Sequence, residues 1–187
     1  MSDNPRFQDL QDDVVRLRPL EPEDVSATVA WRNDPVIRDQ LLSFRFPVTH
    51  VMEAKFIERA ISGDGTQQCV FGIVDRSEEV LCGLVYLRDI DWISRHANVG
   101  IMVGRQDRQR RGMGRRSLNF MLQYGFRVLN LERIYTYVVA YNANAIRLYE
   151  NAGFIQEGRL RAHVALDGGY HDLLVKGILR SEFENRK

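Results

Sequence analysis

Cysteine is almost missing from this chain of 187 residues, which has two, Cys69 and Cys82. Two cysteines cannot supply the disulfide framework of a small secreted scaffold. Both fall in apolar, strand-like runs and are expected as buried thiols in a reducing compartment. The four histidines, His50, His96, His163 and His171, are scattered singly, so no metal-ligand spacing exists and no metal is expected. No apolar run approaches the roughly 18 residues of a membrane-spanning helix. The opening stretch MSDNPRFQDLQDD is polar and acidic, unlike a signal peptide. Charge of one sign is also missing: 26 basic and 25 acidic side chains leave a net charge of +1. That balance argues against generic nucleic-acid or membrane-surface binding, although the arginines are locally clustered. Repeats, linkers and low-complexity segments are absent too. The expected address is the cytoplasm, with no nucleic-acid or membrane partner.

What is present is the composition of an ordinary globular protein, 44% hydrophobic and 27% charged. The expectation is a flexible arm over residues 1–13 and a single domain over 14–187. Strands are expected at Val14–Leu17, Gln68–Asp75, Val80–Arg88, His96–Val103 and Arg133–Ala140, with two more near Phe154–Leu166 and Gly169–Leu179. Helices are expected from about Pro22 to Asn33, at Val36–Leu42, at Thr49–Ser62, after Gly114, and at Ala143–Asn151. Asp167-Gly168-Gly169 is a hairpin signal. The order predicts a mixed α/β fold: a mostly antiparallel sheet with hairpins at both ends and one parallel crossover in the middle.

The organising stretch runs from Val99 to Leu129. An apolar strand (Val99, Ile101, Met102, Val103) breaks at Gly104, and Gln109-Arg110-Arg111-Gly112-Met113-Gly114 leads into a helix. Leu118, Met121, Leu122, Phe126 and Leu129 recur at helical spacing, so one face of that helix is apolar. A glycine turn at a helix N-terminus is an anion site: the first N–H groups lack helical partners, and the dipole adds positive potential. Gly112 and Gly114 keep side chains out of a phosphate's way. Six arginines, Arg105, Arg108, Arg110, Arg111, Arg115 and Arg116, crowd the loop and first turn. The Gly-Lys-Ser/Thr of a P-loop is missing. Gly112-Met113-Gly114-Arg115-Arg116-Ser117 lacks the third glycine of a dinucleotide fingerprint. On the loop alone, a solvated basic turn explains the residues as well as a pyrophosphate site does.

Downstream, the strand Arg133–Ala140 is followed by Asn142-Ala-Asn144-Ala-Ile-Arg-Leu-Tyr149-Glu-Asn-Ala-Gly153-Phe154. Gln109–Gly114 resembles the Q/R-x-x-G-x-G/A pyrophosphate motif of the GNAT superfamily of acyl-CoA-dependent N-acyltransferases. The second segment resembles its N-x-x-A-I-x-x-Y-x-x-x-G-F motif. The pair, in this order and separated by one helix and one strand, is far more specific than either alone. The resemblance spans roughly Val15 to Leu179. It points to the branch holding ribosomal-protein alanine, spermidine and amino-sugar-nucleotide N-acetyltransferases.

The resemblance implies acetyl-CoA as co-substrate and a central sheet whose strands splay beside the pyrophosphate loop. It implies cofactor contacts from Ile101, Met102, Val103, Gln109, Arg110, Arg111, Gly112, Met113, Gly114, Arg115, Asn142 and Asn144. Helix capping is the competing role for the two asparagines. Tyr149 is implied as the general acid that protonates the leaving thiolate, with a place in the core as its competing role. Many relatives carry a glutamate base where this chain has Asn98, which has no proton to exchange near neutrality. Asn98 is retained as a catalytic candidate that orients a water or the amine, and Asp89, Asp91 and His96 are the nearby candidates for a base. Trp31 and Arg32 are candidate acceptor-binding residues. Closure of the helical layer by Trp31 and an Arg32–Asp34 pair are the competing roles. The expected function is direct acetyl transfer to a primary amine of a small molecule, an amino-sugar nucleotide ahead of a polyamine. A protein N-terminal acetyltransferase and a non-catalytic coenzyme A sensor stand as alternatives. An exposed edge strand would admit a homodimer.

Overall fold

The computed structural model describes residues 10–41, 46–62, 67–105, 107, 112–166 and 168–186. The β-branched and aromatic runs form seven strands: β1 (Val15–Arg18), β2 (Cys69–Asp75), β3 (Val80–Asp91), β4 (His96–Val103), β5 (Arg133–Val139), β6 (Ile155–Leu166) and β7 (Gly169–Leu179). They make one sheet in the order β1-β2-β3-β4-β5-β7-β6. Every neighbouring pair is antiparallel except β4–β5, the parallel crossover. This is the mixed, mostly antiparallel α/β architecture that the pattern predicts.

Helices cover both faces. On one side, α1 (Val25–Asn33), α2 (Pro35–Arg38) and α3 (His50–Ser62) enclose a cluster of Leu20, Trp31, Ile37, Ile57, Val70, Leu84 and Met102. The larger core lies on the other side, under α4 (Met113–Gln123) and α5 (Ala143–Asn151). Leu118, Met121, Leu122 and Phe126 are buried there, as the helical spacing predicts. The last turn of that helix widens to a π-helical segment at Tyr124–Val128, closed by Leu129 N donating to the Tyr124 carbonyl at 3.0 Å.

The structure departs from the sequence-based expectation in several places, and β3 runs on to Asp91 beyond the expected Arg88. The second helix stops at Arg38 rather than Leu42: Asp34 caps it by accepting from Val36 N at 2.8 Å, and Gln40 and Leu41 then close tight turns. A terminal helix, α6 (Arg180–Glu184), follows β7 and buries Phe183 against Phe126 at a ring separation of 5.1 Å. Residues 10–13 of the expected arm are packed onto the domain. Leu10 is only 1% exposed, its carbonyl accepts from Leu17 N, and Asp12 accepts from Val14 and Val15 N. Residues 1–9 lie outside the described part of the chain.

Candidate active site

β4 and β5 pair at only three positions, His96–Arg133, Ala97–Ile134 and Asn98–Tyr135. Beyond that last rung both strands continue, each still held on its other edge, β4 by β3 and β5 by β7. The strands therefore splay, and the gap opens into a cavity of about 470 Å³, a volume suited to a small-molecule or cofactor site. It is lined by Val99–Val103 of β4, by Thr136–Val139 of β5, and by Tyr86 and Arg88 of β3. Ile37, Gln40 and Leu41 contribute from the segment after α2, and Asn142, Asn144, Ala145, Leu148 and Tyr149 from α5 and its entry. Ile101, Met102 and Val103 thus lie where extended backbone faces a gap.

At one end of the cavity stands the start of α4. Gly112 is its N-cap, with φ of 79° and no side-chain cap. The first helical hydrogen bond runs from Arg116 N to the Gly112 carbonyl at 3.1 Å. The N–H groups of Met113, Gly114 and Arg115 thus precede any intrahelical acceptor. Gly112, Gly114 and Arg115 line the cavity, whereas the Met113 side chain is buried in the main core, so only its backbone remains for an anion. Of the six clustered arginines, Arg116 is tied to Asp12 at 2.5 Å and Arg105 to Asp107 at 2.8 Å. Gln109, Arg110 and Arg111, with Arg108, lie outside the described residues.

Asn142 performs the capping role: its side-chain oxygen accepts from Ala145 N at 3.0 Å. Its amide also reaches the Gln40 carbonyl at 3.4 Å, and Tyr141 donates to the Asp39 carbonyl at 2.5 Å. The entry to α5 thereby holds the segment after α2 against the cavity. Asn144 is exposed and accepts from Arg147 at 3.0 Å.

Tyr149 is buried, edge-on to Phe154 at 5.1 Å, and its phenol hydrogen-bonds Thr136. Burial drives its pKa well above the ordinary 10.0; the Thr136 hydrogen bond and the Arg88 charge pull it partway back. Asn98 is buried at the root of the splay. Arg88 Nε donates to its Oδ1 at 3.0 Å, and its Nδ2 donates to the Tyr135 carbonyl at 3.3 Å.

None of the three base candidates lines the cavity. Asp89 has φ of 53° at a register shift and turns a 71% exposed side chain outward. Hydrogen bonds from Ser94 and Ile93 occupy the Asp91 carboxylate and hold it below the usual range. His96 packs edge-on to Tyr135, with Nε2 3.9 Å from Asp91. Tyr86, Arg88 and Thr136 line the cavity without having been singled out from sequence. The signal was there for the first two. They alternate on one strand, and Arg88 lies in register with Asn98.

A strand pair that parts after three rungs, a glycine-capped helix start and a buried tyrosine line one cavity, and they carry Gly112, Gly114 and Tyr149 of the motif pair read from the sequence. The acetyltransferase (GNAT) domain family matches residues 15–155. The chain belongs to the GNAT acetyltransferase family. It is similar to the spermidine N(1)-acetyltransferase of Vibrio cholerae, 37% identical over 114 residues. That match covers 61% of this chain and 65% of the relative, a little under two thirds of its length. The spermidine N(1)-acetyltransferase of Escherichia coli K12 is 29% identical over 174 residues, 90% of this chain and 88% of the relative. Among solved structures, the Vibrio cholerae spermidine N-acetyltransferase in complex with CoA and spermine aligns with a TM-score of 0.85 and 29% identity. The alignment covers 93% of this chain and all of that one. A dodecameric structure of the same enzyme aligns with a TM-score of 0.79, 29% identity and coverage of 94% and 99%.

Trp31 and Arg32, the candidate acceptor residues, lie on α1 and are buried. The indole of Trp31 lies flat on Gly104, where an added Cβ would meet it at 2.0 Å. Arg32 is buried, pairs through Nε with Glu53 at 2.8 Å and covers the Phe56 ring. Neither lines the cavity. The carboxylate of Asp34 caps α2, and Glu53 meets the Arg32 guanidinium in the interior.

Proposed function

We propose that this protein is an acetyl-CoA-dependent N-acetyltransferase that transfers the acetyl group directly to a primary amine of a polyamine. The observation that carries the reading is the cavity between the splayed strands, with the α4 N-terminus and the buried Tyr149 on its wall. The polyamine class, ahead of an amino-sugar nucleotide, rests on the two spermidine acetyltransferases and on the related structure holding CoA and spermine. Trp31 and Arg32, the candidate acceptor-binding residues, are buried and do not line the cavity.

The residues present fit the co-substrate. Val99–Val103 offer strand backbone to an extended arm, and Gly112 leaves open space where an anion approaches. The N–H groups of Met113–Arg115 and the Arg115 guanidinium would hold the pyrophosphate. Gln109, Arg110 and Arg111 would complete that grip. Acetyl-CoA supplies an acetyl thioester, whose carbon is attacked by the amine nitrogen as the carbon–sulfur bond breaks. Tyr149 donates its phenolic proton to the departing thiolate, the conjugate base of a thiol with pKa near 8.5.

No carboxylate and no cysteine is among the described residues lining the cavity. Burial pushes the Cys69 thiol up to about 12, so it is a poor nucleophile near neutrality. The amine therefore reacts through its neutral fraction, helped by proximity, and loses its extra proton to solvent. Asn98 holds the root of the splay and offers no base. The cytoplasm suits a protein whose two cysteines remain thiols. The long edge strand β6 is the surface through which copies of the chain would associate.

Calorimetric titration of acetyl-CoA followed by free-thiol release on spermidine, spermine, an amino-sugar nucleotide and an alanine-starting peptide tests the reading. Release with the polyamines is the expected result. Release only with the peptide moves the protein to the N-terminal class, and binding without release on any amine favours a sensor.

A further inference from the structure

Thr136 and Lys176 are register partners across β5 and β7, so their side chains rise on the same face of the sheet. Each reaches one of two consecutive residues of α5. Thr136, buried, hydrogen-bonds the Tyr149 phenol. Lys176, 1% exposed, sets Nζ 2.9 Å from Oε1 of Glu150. A buried ammonium is costly unless paired, so Lys176 dictates where the half-exposed carboxylate of Glu150 must sit. That fixes the rotation of α5 at the turn carrying Tyr149, and Thr136 then fixes the end of the ring.

We propose that Thr136 and Lys176 are positioning residues for Tyr149, a two-point clamp that keeps the phenolic O–H directed into the cavity. The proposal rests on the reading of Tyr149 as the acid. A general acid must lie within hydrogen-bond reach of the atom it protonates. With the Thr136 hydroxyl as donor to the phenol oxygen, the phenolic proton would be free to point elsewhere. It also stabilises the phenolate left behind when that proton moves to sulfur. The phenolate then regains a proton from solvent, which has taken one from the acylated amine, so each turnover closes without another reactant.

The test compares T136V, of the same shape without the hydroxyl, with T136S, which keeps it, alongside K176M and Y149F. The readouts are kcat, KM for acetyl-CoA and thermal melting. Expected for T136V is a kcat loss of roughly ten-fold with KM for acetyl-CoA within about two-fold, and for T136S a kcat within about three-fold of the parent. K176M is expected to lower kcat in the same way, with KM unchanged. Unaltered kcat in a cooperatively folded T136V overturns the clamp, as does an equal loss in T136V and T136S, which would mark packing rather than the hydroxyl as the cause. Collapse of turnover in Y149F alone overturns only the clamp. Full turnover in Y149F removes the acid reading and the clamp with it.

Discussion

Asn98 joins three strands: it accepts from Arg88 of β3 at 3.0 Å and donates to the carbonyl of Tyr135 on β5 at 3.3 Å. It does so at the last rung of the β4–β5 ladder, where the cavity begins. A carboxylate at this position would accept from Arg88 but could not donate to Tyr135. The asparagine thus uses both ends of its amide to hold the splay at its origin. N98A leaves the Tyr135 carbonyl and the Arg88 Nε without these partners. It should cost about 1–3 kcal/mol of stability, read as a lowered melting temperature, together with reduced turnover. N98D should recover less than half of that loss, because the donor to β5 stays missing.

Y149F should lower turnover by roughly a hundred-fold while acetyl-CoA affinity, measured by calorimetry, stays within a few fold. Undiminished turnover would sink the acid assignment. The same variant has a second signature. Burial, the main cause, raises the Tyr149 pKa above its ordinary 10.0, so above about pH 10 the unfolded chain gives up a proton that the folded chain keeps. The unfolded state then binds fewer protons, and stability falls as pH rises. Below pH 10 the phenol is neutral in both states and contributes no slope. Chemical denaturation from pH 9 to 11 should show a weaker alkaline loss in Y149F than in the parent.

Arg32 and Glu53 are both buried and 2.8 Å apart, so either change alone takes the facing charge away from a buried group inside the helical layer. R32M or E53M should each destabilise by about 3–5 kcal/mol, and the double variant should recover most of the loss. Turnover per folded molecule should stay near the parent value in the double variant, since neither side chain lines the cavity. A selective rise in KM for the amine would instead return Arg32 to the acceptor site.

The strand periodicity and the apolar face of α4 were readable because each is a local pattern that the sheet or core then buries. The two motifs around Gly112 and Tyr149 were readable for the same reason: each sits on a few consecutive residues. What escaped depends on partners far apart in sequence. Arg32 finds Glu53 21 residues away, and the nearby Asp34 caps α2. Lys176 reaches back 26 residues to Glu150. Helix α6 is only five residues long and is held by Phe183 against Phe126, not by any helical period of its own. Asp89 and Asp91 were close to the right strand, but they fall where the register of β3 shifts after Arg88, and His96 opens β4 with its ring packed on Tyr135.

Gly112 separates backbone conformation from anion binding. Its φ of 79° disfavours any Cβ by about 1–2 kcal/mol, yet among the described residues an added Cβ would meet only Arg116 Nε, 3.9 Å away. G112A should therefore fold with a modest drop in melting temperature. Its acetyl-CoA affinity should fall by roughly ten-fold or more, because the methyl group stands where a phosphate must approach backbone N–H groups. Retained affinity would discredit the loop as the pyrophosphate site.

Arg115 and Arg116 are neighbours in sequence with different commitments. Arg116 is held by Asp12 at 2.5 Å and by Asp13 at 3.4 Å, joining α4 to the segment before β1. Arg115 lines the cavity beside Gly112 and Gly114. A guanidinium already matched to two carboxylates has little to give a phosphate. R115A should therefore weaken acetyl-CoA binding by roughly five- to ten-fold, with a shallower salt dependence of the affinity. R116A should leave affinity within about two-fold and act instead on the docking of Leu10–Asp13, read by hydrogen exchange at Leu17, whose amide bonds the Leu10 carbonyl. If the two variants weaken binding equally, the anion site is the field of the whole arginine cluster, and the α4 N-terminus loses its special place in the argument.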